Sequence, residues 1–197
     1  MQLLEIISKL AVAMIFCVSS EAALADTSCN STALTNPDII NCSQAAFVKI
    51  DKLLNEQYRA LMLEFDAPFK ADLLATQKSW IELKGSYCED QSDGELGAES
   101  PIEKLSCEMQ FTSFRLNEII YLRTGVIGDG FYKTVSVVNK KATAMDYVKA
   151  VKYVAGDTDF GPIWKSYAEQ NCVLAHKLYG EVEGRCMARM QFQMPIF

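Results

Sequence analysis

Six of the seven cysteines, all except Cys17, limit what this chain can fold into more than any other feature. They are Cys29, Cys42, Cys88, Cys107, Cys172 and Cys186. An even number of cysteines in an exported chain indicates disulfides, although the count alone leaves the pairing open. Pairing each cysteine with its neighbour along the chain closes three short loops, each of which would stabilise the fold by roughly 3 kcal/mol. We therefore predict the disulfides Cys29–Cys42, Cys88–Cys107 and Cys172–Cys186.

Residues 1–25 have the order of a secretory signal peptide. The apolar run LAVAMIFCV at 10–18 is too short to span a bilayer, and Ala-Leu-Ala at 23–25 predicts cleavage before Asp26. Glu5 weakens this pattern and leaves an uncleaved anchor as the alternative. Cys17 is expected to be lost with the peptide, because the residues before it are not the small ones that precede a lipidated cysteine.

The chain beyond the signal peptide is acidic. Residues 26–197 contain 18 basic and 23 acidic side chains, a net charge of −5. This balance argues against bulk electrostatic binding to nucleic acid or anionic lipid, and it favours a basic protein partner. We expect an exported protein, periplasmic or extracellular, that meets a membrane only through its signal peptide before cleavage.

Apolar residues recur at helical spacing through most of the chain. A long helix is predicted with Asn36 as its N-cap and Pro37 at its first position, ending at Phe65, and a second over 70–88. A third begins at Ser100, where Ser-Pro-Ile-Glu forms a capping box. Further helices are predicted over 144–154 and 161–180, and a last helix in the segment 181–194, which carries Cys186, closes the fold. The chain is therefore expected to be an all-α bundle of disulfide-stapled helical hairpins.

Glycines and β-branched residues interrupt this helical pattern in 125–143. This segment is predicted to be a linker or irregular chain, with a short strand pair as the alternative.

The only two tryptophans each stand eight residues before a cysteine, in WIELKGSYC at 80–88 and WKSYAEQNC at 164–172. Eight residues on a helix advance ~12 Å and turn a net ~80°, so both side chains share a broad face. We predict that Trp80 and Trp164 fill the core while each cysteine ties its helix to the next one. A catalytic cysteine would instead need a free thiol and a nearby base.

Three short motifs accompany the first two cysteine pairs. They are Leu-Asn-x-x-Tyr at 54–58, Gln-x-x-Trp at 77–80 and Thr-x-x-Arg at 112–115. In this order, over about 29–122, they resemble the family of LprI-type lysozyme inhibitors. The resemblance implies an exported, all-helical, disulfide-bonded fold that inhibits lysozyme. On this basis 26–124 is predicted to be an LprI-like domain, 125–143 a linker, and 144–197 a degenerate repeat of the Trp-to-Cys hairpin packed on the first domain.

Few residues point to catalysis or to a cofactor. His176 is the only histidine and lies in an apolar helical stretch, so a structural or surface role is favoured. No Cys-x-x-Cys pair indicates a metal site, and Met187, Met190 and Met194 are expected in the core. Arg115 is predicted to form an intramolecular salt bridge or a helix–helix hydrogen bond. We expect no enzymatic activity, no cofactor and no metal.

The segment 89–100, here called the acidic loop, is the predicted partner-binding surface. It contains Glu89, Asp90, Asp93, Glu95 and Glu99 between Cys88 and the start of the third helix. Tethering at both ends lowers the entropy lost on binding, and the carboxylates would attract a strongly cationic lysozyme. A solvated turn is the alternative interpretation of this loop. A structural or assembly module of the cell envelope, binding another envelope protein, is the alternative function.

Overall fold

The computed structural model describes residues 29, 34–89, 100–141 and 145–194. Within these ranges the chain is helical and contains no strand, which confirms the all-α prediction. The signal peptide and residues 90–99 of the acidic loop lie outside the described residues. The helices are α1 Asn36–Glu64, α2 Ala67–Glu89, α3 Ser100–Thr124, α4 Phe131–Lys141, α5 Tyr147–Ala155, α6 Gly161–Tyr179 and α7 Glu183–Phe192. None of these helices combines the length and apolarity needed to cross a membrane.

Helix α1 begins one residue earlier than predicted, with Thr35 rather than Asn36 as its N-cap. The Asp38 carboxylate accepts hydrogen bonds from the Thr35 backbone N–H at 3.0 Å and from its hydroxyl at 2.6 Å. The hydroxyl bond and then the backbone bond lower the pKa of Asp38 below its ordinary value. The predicted apolar stripe faces the core, and Leu54 and Leu61 on it are fully buried.

The helices pack in a continuous series of neighbouring pairs. Helix α1 lies on α3, α3 on α2, α2 on α6, α6 on α7, α7 on α5 and α5 on α4. Helices α2 and α6 run antiparallel, because the Ser79 hydroxyl donates to Gln170 at 3.0 Å while Lys177 contacts Asp72 at 2.6 Å. One large core cluster therefore includes apolar side chains from both halves of the chain.

The structure contains the three predicted disulfides. Cys88–Cys107 joins α2 to α3, and Cys172–Cys186 joins α6 to α7, so each helix of the W-x7-C type is stapled to the next one. These four cysteines are buried, with at most 2 % of their surface exposed. The prediction that the cysteine of each W-x7-C stretch ties its helix to the next one is thus confirmed for both hairpins.

Both tryptophans lie in the core, as predicted, but their indole N–H groups differ. The Trp80 Nε1–H donates to the Phe111 carbonyl of α3 at 3.1 Å. The Trp164 Nε1 is buried without an acceptor among the described residues. The second hairpin therefore keeps the packing role of the tryptophan and lacks the bond that fixes the first one.

The prediction of a linker or irregular chain at 125–143 is wrong for Phe131–Lys141, which form α4. The Asp129 carboxylate accepts the Phe131 backbone N–H at 2.9 Å and so caps the start of the helix. Phe131 and Val135, one turn apart, are fully buried in a small second cluster with Ala150 of α5 and with Ala188. This tertiary packing outweighs the low helix propensity of the β-branched residues.

We predict that the two short disulfide loops differ in their effect on stability. Cys29–Cys42 and Cys172–Cys186 span 13 and 14 residues, so their entropic contributions should both be about 3 kcal/mol. Replacing the buried pair Cys172 and Cys186 by alanine should cost more, because it also removes core contacts. Urea denaturation of the two double-alanine variants measures both values. A larger loss for the Cys29/Cys42 variant would contradict this account.

Candidate partner-binding site

The acidic loop connects α2 to α3, and core contacts hold the end of α2 from which it starts. At one end Cys88 is buried and Tyr87 donates its hydroxyl to the Phe160 carbonyl at 2.8 Å. The Tyr87 ring also packs on Phe111, with ring centroids 5.4 Å apart. The disulfide to Cys107 holds the two helices at a Cα–Cα distance of 5.6 Å. The α2 end of the loop is therefore fixed by core contacts, and the disulfide ties it to α3 seven residues after Ser100.

Of the five predicted partner-binding carboxylates, Glu89 alone belongs to the described residues. It is the last residue of α2, and its side chain is exposed. Asp90, Asp93, Glu95 and Glu99 lie outside the described residues, so their part in partner binding stays a prediction.

The Gln-x-x-Trp and Thr-x-x-Arg motifs meet around Arg115 in the core. Its guanidinium is fully buried and donates to Gln77 at 2.9 Å and to Thr76 at 2.9 Å, both on α2. It also donates to Asn171 at 3.1 Å and to the Tyr167 hydroxyl at 3.3 Å, both on α6. Of the two predicted alternatives for Arg115, the structure has the helix–helix hydrogen bonds. Arg115 therefore joins three helices and does not face a partner.

A second buried arginine, Arg189 of α7, was missed by sequence reasoning. It pairs with Glu118 of α3 through two hydrogen bonds and with Glu181 at 3.1 and 3.2 Å. Glu118 in turn accepts from Asn171 at 2.7 Å, and Asn171 links this pair to Arg115. The two arginines and the carboxylates thus form one buried network across α2, α3, α6 and α7.

The electrostatics of this network follow from burial and from close charges. Burial alone would lower the pKa of Arg189, but the charge and hydrogen bonds of Glu118, and then those of Glu181, raise it above its ordinary value. Burial also raises the pKa of Tyr167 to about 12, against the opposing charge of Arg115. Arg189 therefore stays charged, and Tyr167 stays a neutral donor and acceptor, throughout the physiological range.

The geometry gives this polar network a structural role. Its charged groups bond to one another inside the core, and removing one would leave the others unpaired. His176 is exposed in the last turn of α6, with its Nδ1 3.2 Å from the Glu181 carbonyl oxygen. The only sequence signal for the network is the presence of charged residues at core positions of helical stripes, such as Arg189 three residues after Cys186.

The region that holds the acidic loop and its staple matches a known protein family. The family model described as Lysozyme inhibitor LprI matches residues 27–119. Residues 27–119, here called the LprI region, are similar to this family. The LprI region includes the first two disulfides, Trp80, Arg115, helices α1 and α2, and α3 up to residue 119. Neither a curated protein nor a solved structure matches the chain.

We predict that the buried Glu118 contributes strongly to the free energy of unfolding and that the exposed Glu64 does not. Glu118→Gln leaves Arg189 buried without its main counter-charge and should cost about 3–5 kcal/mol. Glu64→Gln, which breaks the exposed pair with Arg123 at 2.6 Å, should cost at most about 1 kcal/mol. Urea denaturation of both variants measures the contrast. Equal losses would show that the buried network does not hold the helices together.

Proposed function

We propose that the protein is an exported, non-enzymatic inhibitor of a lysozyme or of a related peptidoglycan hydrolase. The observation that carries this proposal is the LprI match over 27–119, which includes α2, the Cys88–Cys107 staple and α3 up to residue 119. The disulfides support an oxidising location, periplasmic or extracellular.

Inhibition would occur by steric occlusion, with the acidic loop entering or covering the cleft of the hydrolase. The Cys88–Cys107 staple and the start of α3 at Ser100 limit the conformations of the loop, so that less entropy is lost when it binds. Its five carboxylates would speed the encounter with a cationic enzyme and orient it. No covalent step is required.

The core supports this mechanism by keeping the loop ends in place. Arg115 fixes α3 against α2 through Thr76 and Gln77, and Trp80 adds a bond to the α3 backbone. These contacts join α2 and α3, the two helices that the loop connects. A rigid base of this kind lets binding energy go into the contact with the enzyme rather than into ordering the inhibitor.

The first test is inhibition itself, measured as the clearing of a bacterial cell suspension by lysozyme. Oxidised 26–197 should slow several cationic lysozymes in a dose-dependent way. Full activity of every lysozyme at a large molar excess of the folded protein would refute the proposed function.

The second test separates the acidic loop from the general acidity of the chain. Neutralising Glu89, Asp90, Asp93 and Glu95 to their amides should weaken inhibition and flatten its dependence on salt. The matched control neutralises four exposed carboxylates elsewhere, Glu56, Glu82, Asp157 and Glu183, and so changes the net charge equally. The control should keep most of the inhibition. Equal weakening in both variants would move the binding site away from the loop.

A further inference from the structure

A polar cleft of about 410 Å³ opens between the outer face of α3 and the end of α7. Its lining residues are Met109, Gln110, Ser113, Phe114, Asn117, Asp129, Phe192 and Gln193. The volume falls within the range of small-molecule sites in proteins, about 300–1,000 Å³. The nearest of these residues to the acidic loop, Met109, follows Ser100 by nine residues, about 14 Å along the helix axis.

Uncharged hydrogen-bonding groups line the α3 side of the polar cleft. Gln110, Ser113 and Asn117 follow one another at steps of three and four residues, so they share one face of α3. The side chains of Ser113 and Asn117 make no hydrogen bond to any described residue. Gln193, on the opposite side, has a buried Oε1 without a donor in the part of the chain that the structure describes. On the α3 side, Ser113 and Asn117 therefore offer donors and acceptors that the fold does not use.

The charge of the polar cleft excludes two classes of ligand. Its lining contains neither lysine nor arginine, so nothing there attracts an anion. Its one carboxylate, Asp129, accepts hydrogen bonds from the Phe131 backbone and from Gln193, and it lies 3.6 Å from Arg189. Since both oxygens of this carboxylate already accept hydrogen bonds from the fold, they are not available as ligands for a cation. The ligand that fits is neutral.

An apolar wall completes the polar cleft. The side chains of Met109 and Phe192 lie on either side of it, and the Phe192 ring is fixed by Phe131 at a centroid distance of 5.5 Å. A flat ring beside amides and a hydroxyl suits a ligand that has an apolar C–H face and hydroxyl or amide groups at its edge. Sugar rings have this combination of faces.

We propose that the polar cleft is a binding site for a neutral saccharide. Asn117, Ser113 and Gln110 bond to hydroxyl or acetamido groups, and Phe192 stacks on the ring. This site is separate from the acidic loop, and its existence does not depend on inhibition of a hydrolase.

The test is an NMR titration of isotope-labelled, oxidised 26–197 with tri-N-acetylchitotriose, with maltotriose as a second neutral saccharide. Amide signals of 109–117 and of Gln193 should shift in a saturable way with at least one of them. Asn117→Ala, an exposed substitution, should weaken binding by about two- to tenfold, as expected for the loss of one hydrogen bond.

The matched control is Asn55→Ala, which removes an exposed asparagine of α1 that does not line the polar cleft. It should leave the affinity unchanged. The proposal is overturned if neither saccharide shifts these signals, if the shifts map to another surface, or if Asn117→Ala binds as tightly as the unchanged protein.

Discussion

The buried pair of Glu118 and Arg189 is the interaction on which the arrangement of the helices depends. Glu118 belongs to the third helix and Arg189 to the last one, so the pair connects the two disulfide-stapled hairpins through the core. Buried charges cost several kcal/mol each unless they are paired and hydrogen-bonded. Asn171 joins this pair to Arg115, which satisfies the remaining groups of α2 and α6. The two hairpins therefore share one polar core and are stable only when packed together.

This arrangement separates the residues that build the scaffold from those that can meet a partner. Trp80, Gln77 and Arg115 belong to the motifs that carry the LprI resemblance, and all three face the interior contacts of α2 and α3. A partner can reach neither the staple nor the arginine. Under the proposed function, recognition would then lie outside these residues, and we propose that it lies in the acidic loop.

Local signals explain which parts of the fold could be predicted from the sequence. Caps, first-turn prolines and apolar stripes are read over one or two turns, and they placed six of the helices within a few residues. Helix α4 was missed because its valines favour strands, and its burial of Phe131 depends on Phe192 of α7. The pair of Glu118 and Arg189 was missed because its partners lie 71 residues apart, a contact that no local pattern indicates. The role of the carboxylates at 90–99 in partner binding also stays a prediction, because it depends on the surface of the partner.

Hydrogen–deuterium exchange of oxidised 26–197, with and without a cationic lysozyme, tests the central claim most directly. Occlusion by the acidic loop predicts slower exchange in 89–100 and at the adjoining ends of α2 and α3 when lysozyme is present. It predicts unchanged exchange in α4 and α5. Protection confined to α4 and α5 would contradict the account. So would a lack of protection under conditions in which lysozyme is inhibited.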